Sequence, residues 1–179
     1  MADNKQISEI VAGCKDGDSW CFSQLVDMYS HRCYGYFYRL TGNRDLSEEL
    51  LGELFTRIVE KIGSFKGEYF DGWLFRIASN IFHDHLRERQ RQKKLLEKRR
   101  EQFEEQEREV GHNEGEDIDK LQKKLEQLDD KTRELIMLRF YSAMSFKEIA
   151  EMRGEPIGTT LSKVHRGLKK LRELMEQEK

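Results

Sequence analysis

The chain has 179 residues, 37% of them charged, one proline and a formal net charge of −2. That length holds one large domain or two small ones, and the composition favours long helices over a turn-rich β fold. The near-neutral balance excludes a uniformly basic nucleic-acid binder but not local basic patches, and the charge here is unevenly placed.

Taken in order, Ile7 to Cys14 reads as a short helix with Ile7, Ile10 and Val11 on one side. Gly17-Asp18 breaks it, and Ser19 is expected to cap the next helix. From Trp20 to Leu40, Phe22, Leu25, Val26, Tyr29, Cys33, Tyr36, Phe37 and Leu40 recur at i, i+3, i+4 spacing, which predicts an amphipathic helix. A turn at Thr41-Gly42-Asn43-Arg44 leads to a third helix, Asp45 to Ile62, with Leu50, Leu54, Phe55, Ile58 and Ile62 as its buried stripe. Its other side carries Glu48, Glu49, Glu53 and Glu60.

The glycine-rich stretch GSFKGEYFDG, Gly63 to Gly72, is expected as a loop. Its Phe65, Tyr69 and Phe70 beside Lys66 suit base stacking and suit anchoring into a core equally well. A fourth helix is expected to start at Trp73, with Leu74, Ile77, Ala78, Ile81 and Leu86 apolar. From Arg76 to Arg100 nine Lys/Arg face Asp84, Glu88 and Glu97, a local +6 that is an electrostatic footprint for phosphate. The sign then reverses, because Glu101 to Asp119 holds nine acids and one base, Arg108. Glycine, charge and low apolar content mark 96–117 as a flexible acidic linker between domains at 1–95 and 118–179.

The second domain opens with Ile118, Leu121, Leu125 and Leu128, then a helix over Lys131–Tyr141 with Leu135, Ile136, Leu138 and Phe140 as its apolar set and Asp129-Asp130 as its cap. Two short helices follow, joined at Arg153-Gly154-Glu155-Pro156, where glycine suits a left-handed C-cap and proline a helix start. In the last helix Thr160, Val164, Gly167, Leu168 and Leu171 are expected to face the core, leaving Thr159, Ser162, Lys163, Arg166 and Lys169 opposite. This is the layout of a helix-turn-helix, and equally of a helical hairpin with a solvated basic face.

Cys14, Cys21 and Cys33 lack CxxC spacing and pair with none of the five histidines at ligand spacing, so reduced cytosolic thiols are expected rather than zinc or any other cofactor. The first ten residues have neither a basic region nor an apolar core, and no apolar run approaches bilayer length, so a cytoplasmic protein without membrane insertion is expected. No nucleophile–base–acid set, P-loop or metal cluster points to an enzyme.

With both halves in view, the chain resembles the extracytoplasmic-function sigma factors of bacterial RNA polymerase. Three stretches carry the likeness: the opening helices from GDSWCF to FTRI, the segment SFKGEYFDGWLFRIASNIFHDHLRERQR, and LEQLDDKTRELIMLRFYSAMSFKEIAE with the following P-x-G-T spacing. The resemblance implies an all-α fold of two small helical domains. It implies binding to core RNA polymerase and to promoter DNA, duplex at −35 and single-stranded at −10, and regulation by an anti-sigma protein. On the family's pattern the −35 base contacts fall on Leu161, Ser162, His165 and Arg166, where Arg166 suits a guanine edge and Leu161 replaces the usual basic residue. Lys163, Lys169 and Lys170 suit phosphate, and Thr159 lies on the same face. Phe65 and Asn80 match the pocket for a flipped −10 base, with Arg76, Arg87, Arg89 and Arg91 as backbone contacts. Glu49, Leu50 and Glu53 match the polymerase-binding positions, beside Gly52 and Val59 where the family often has Gln and Trp. A stand-alone helix-turn-helix regulator is the other reading, but it leaves WLFRIASN unexplained.

Overall fold

The computed structural model describes residues 4–67, 69–100 and 116–176, apart from the side chains of residues 4, 96–100 and 116–119. Eight α-helices and one short 3-10 turn make up the described chain, with no strand among the described residues. The first group is α1 (Asn4–Lys15), α2 (Ser19–Thr41), α3 (Arg44–Lys61), the turn Ile62–Ser64 and α4 (Phe70–Arg100). The second is α5 (Glu116–Glu126), α6 (Asp130–Tyr141), α7 (Phe146–Arg153) and α8 (Ile157–Glu176). Most of the expected linker, residues 101–115, lies outside the described residues.

Side-chain caps define four of the helix starts. Asp18, not the expected Ser19, caps α2: its carboxylate accepts from Trp20 N at 2.8 Å and from Cys21 N at 3.4 Å. A carboxylate satisfies the orphan amides as a hydroxyl does and also answers the positive end of the helix dipole. Asn43 caps α3 through Leu46 N, and Asp129 caps α6 through Thr132 N. Ser145 and Glu148 form a reciprocal capping box on α7. Gly154 then ends α7 in the left-handed region at φ 63°, as the sequence suggests, and Pro156 supplies the first carbonyl of α8.

Cys33, Tyr36, Phe37, Leu54, Ile58, Leu74 and Phe75 are fully buried between α2, α3 and α4. The glycine-rich stretch is a shorter loop than expected, because α4 begins at Phe70 rather than Trp73. Phe65 and Phe70 are both buried, and the Phe65 ring packs on Phe70 and Trp73 at 5.5 and 5.3 Å. These aromatics anchor the loop; burying a ring of that size is worth roughly 1.5–3 kcal/mol. In the second group Leu125, Leu135, Ile136, Leu138, Ile149 and Val164 form the core. Gly167 lets α8 press against Thr132 and Ile136 of α6, leaving no room for a Cβ. Two expectations fail here. Phe140 is 65% exposed and Leu168 37% exposed, since each sits at the edge of its helix's apolar arc.

All three cysteines are free and buried. Burial pushes the Cys14 thiol up to about 11 and the Cys33 thiol up to about 12.

The two groups pack along one seam. Arg133 of α6 donates from Nη1 to Leu40 O at 3.0 Å, and Arg32 of α2 donates to Tyr141 O while pairing with Asp71 at 2.5 Å. The Tyr69 hydroxyl donates to Ser142 O at 2.9 Å. Gly35 is what allows α2 to approach α6, since a Cβ there would stand 2.8 Å from the Tyr141 ring.

Candidate nucleic-acid interface

The turn between α7 and α8 is held by one carboxylate. Glu155 accepts from Thr160 Oγ1 at 2.7 Å and from Lys163 Nζ. Burial raises the Glu155 carboxyl, but the Lys163 and Thr160 hydrogen bonds and the nearby charges more than offset this and hold it below the usual carboxylate range. With Thr160, Val164 and Gly167 buried, α8 turns Thr159, Leu161, Ser162, His165, Arg166 and Lys169 to solvent. The Ser162 hydroxyl donates to Gly158 O at 2.7 Å and Arg166 Nε to Ser162 O at 3.3 Å, both within α8 itself. Both groups can exchange those bonds for a base or a phosphate at little cost. Lys169 is exposed, with Glu173 at 3.9 Å. Lys163 differs from the others: it is half-buried and tied to Glu155, so it braces the turn rather than reaching outward.

On α4, Arg76, Asn80, Arg87, Arg89 and Arg91 are exposed. Arg87 meets Asp84 at 2.7 Å and Arg91 meets Glu88 at 3.9 Å, surface pairs worth little and readily given up to phosphate. Phe65 does not join this strip in the structure. Its ring is buried behind Trp73, so a base would reach it only after the loop before α4 moved.

α3 presents Glu48, Glu49, Glu53 and Glu60 to solvent, with Glu53 and Arg57 paired at 3.0 Å. Leu50 is 3% exposed and therefore packs inward, supporting this acidic face from behind. Among the described residues no group of His, Cys, Asp and Glu is placed to hold a metal ion.

One cluster was not anticipated from the sequence. Glu134 of α6 is fully buried, accepting from Ser79 Oγ at 2.5 Å and from Arg153 Nη1 at 2.5 Å, with His83 Nε2 at 3.0 Å. Burial raises the Glu134 carboxyl, but the hydrogen bonds from His83 and Ser79 and the charge of Arg153 prevail and hold it below the usual carboxylate range. The signal was an acid set inside the apolar run of α6, directly before Leu135, Ile136 and Leu138. Beside this cluster a polar cleft runs between α4 and α7. Arg76, Ser79, Asn80 and His83 line one wall and Glu151, Met152 and Arg153 the other.

A family model described as Sigma-70 region 2 matches residues 25–92, and one described as Sigma-70, region 4 matches residues 118–171. The chain is 30% identical to the ECF RNA polymerase sigma factor SigW of Bacillus subtilis, covering 96% of each. It is also 30% identical to the RNA polymerase sigma factor CarQ of Myxococcus xanthus, covering 90% of this chain and 92% of that one. Among solved structures, the sigma factor RpoE in complex with the anti-sigma factor NepR from Bartonella quintana is similar, at 26% identity and a TM-score of 0.70 over 88% of this chain and 98% of that one. CnrH in complex with the cytosolic domain of CnrY shares the fold at a TM-score of 0.71 and 21% identity, over 99% and 100% of the two chains. No described helix is long and apolar enough to cross a membrane.

Proposed function

Because the chain belongs to the extracytoplasmic-function sigma factors of RNA polymerase, serving promoter recognition and transcription initiation, we propose the following division of that work. Residues 1–95 bind core polymerase and read the −10 element, residues 118–179 read the −35 element, and 96–117 tether the two. The acidic face of α3, through Glu49 and Glu53 with Leu50 behind it, docks on a basic surface of the core enzyme. On α8, Arg166 reads a guanine edge in the major groove, and Ser162 and His165 reach neighbouring bases. Thr159 and Lys169 hold phosphates and fix the register.

At −10, Asn80 reads an unstacked base through its amide, and Arg76, Arg87, Arg89 and Arg91 follow the backbone of the opened strand. Phe65 becomes a wall for that base once its loop lifts. Trapping an unstacked base lowers the free energy of the open duplex, so melting follows from binding rather than from catalysis. The protein acts where the polymerase is, in the cytoplasm. The RpoE relative is held by an anti-sigma factor, and we extend a partner of that kind to this chain.

The observation that carries this reading is two separate exposed strips: Ser162, His165 and Arg166 on a braced second helix, and Arg76 and Asn80 on α4. Retention of core polymerase by the tagged chain, followed by run-off transcription and mapping of start sites, tests it. A chain that neither retains core nor directs initiation would end the proposal.

A further inference from the structure

The start of α8 inverts the usual order of inside and outside. Thr160 is fully buried, its hydroxyl held by Glu155, while its neighbour Leu161 is 41% exposed and Ile157 is 47% exposed. Four positions apart, Ile157 and Leu161 are neighbours on one side of the first two turns of α8. A single exposed apolar side chain is ordinary on a protein surface. This pair, however, adjoins Ser162 and His165, and it is in the opening turns of such a second helix that side chains reach base edges.

Gly158 supplies a second observation. A Cβ there would have nothing within 4 Å, and its backbone is not left-handed, unlike that of Gly154. Gly167 on the same helix is different, since a Cβ there would stand 2.4 Å from Thr132. Neither packing nor conformation therefore calls for glycine at 158, and glycine weakens a helix relative to alanine. What it leaves is bare backbone open to solvent, bordered by Ile157, Leu161 and Ser162, whose hydroxyl is turned back onto Gly158 O at 2.7 Å. Such a notch suits close approach of another surface.

The chemistry of the notch selects what can fill it. Phosphate calls for a cation or a donor, and base edges call for hydrogen-bonding partners. Leucine and isoleucine offer neither, and pressed against a G·C edge they would strip its polar atoms of water without replacing the bonds. The thymine C5-methyl is the one apolar group that a base pair presents in the major groove.

We propose that Leu161, with Ile157 beside it and the Gly158 backbone beneath, reads a thymine methyl in the −35 duplex, so that this chain selects an A·T pair there by apolar contact. The proposal rests on the reading of α8 as the −35 helix. Arg166 and Ser162 read by hydrogen bonds; Leu161 adds selection against any pair that lacks the methyl.

The test uses holoenzyme reconstituted from the full chain and core polymerase, on a promoter library randomised across the −35 region. The wild-type protein should select an A·T pair at a position where Leu161→Ala shows no preference. In the best-selected duplex, deoxyuridine then replaces that thymine, which removes one methyl and no hydrogen-bonding atom. Wild-type binding should weaken about three- to five-fold, the size expected for one buried methyl, and that of Leu161→Ala by less than about twofold. Gly158→Ala should melt no lower than the wild type yet bind the thymine duplex about tenfold more weakly, because its Cβ enters the contact rather than the core. The proposal is overturned by a library profile that Leu161→Ala leaves unchanged, by an altered position without thymine, by a methyl effect absent from the wild type or persisting in Leu161→Ala, or by unimpaired binding of Gly158→Ala. Loss of core retention by Leu161→Ala would place the side chain at a protein contact and overturn it too. Arg166→Ala is run alongside. If it alters the profile and Leu161→Ala does not, the −35 reading stands and the methyl contact falls; if neither does, the −35 reading itself falls.

Discussion

Arg166 and Glu134 show how differently two charged residues are used. Arg166 is exposed and bonded only to its own helix, so its guanidinium is free to meet a base. Arg166→Ala should cost about 1–3 kcal/mol of discrimination at one −35 position, read as loss of preference for that base pair in a promoter library, while binding at other positions is kept. Glu134 is the opposite, a buried charge whose partners must all be present. Its carboxyl is depressed in the folded chain, so the stability it supplies is fully present above the ordinary carboxylate pKa of about 4.3 and is lost as pH falls through the lower folded value. Denaturation midpoints should therefore fall as the pH is taken below the ordinary carboxylate range, and Glu134→Gln should flatten that part of the profile. The α8 face was legible because a surface residue's place follows from its helical phase, whereas Arg76 and Asn80 on α4 were singled out through the family resemblance. Glu134 was not, because its partners come from residues 55 positions earlier and 19 positions later.

For elements, helical spacing set each helix and its inward face, and local chemistry set the ends. The turn at Gly154 was readable from one glycine and one proline. Asp18 displaced Ser19 as a cap because adjacent residues compete for the same amides, and only geometry decides between them. Phe65 and Leu50 taught the converse. Each sits at a position that a family pattern assigns to a partner, yet each packs inward here, because a large apolar side chain beside an available core is drawn into it. The short α7 depends on its capping box more than the longer helices depend on theirs, having only eight residues over which to spread nucleation. Ser145→Ala should cost about 1 kcal/mol, measurable by urea denaturation, and should weaken duplex DNA binding only to the extent that the chain unfolds.

At the scale of the whole molecule, charge is partitioned into separate surfaces of opposite sign. An acidic α3 face and basic α4 and α8 strips coexist in a chain of net charge −2. Reversing both Glu49 and Glu53 to lysine should slow association with core polymerase by ten-fold or more at low salt, with the difference shrinking as ionic strength rises. Stopped-flow binding against salt reads this directly. The packing of the two helical groups on each other lay beyond sequence reading, since neither Gly35 nor Tyr141 advertises the other.

The three buried cysteines carry a consequence for signalling. With the Cys33 thiol pushed up to about 12, only about one molecule in 10⁵ holds it as thiolate at neutral pH, and thiolate is the form that oxidants and alkylating agents attack. Cys14, up to about 11, is nearly as inert. Iodoacetamide at neutral pH should leave both unmodified in the folded chain and label them once it is denatured. Oxidation by way of a thiolate would therefore pass Cys14 and Cys33 by, and these two thiols would remain packing groups.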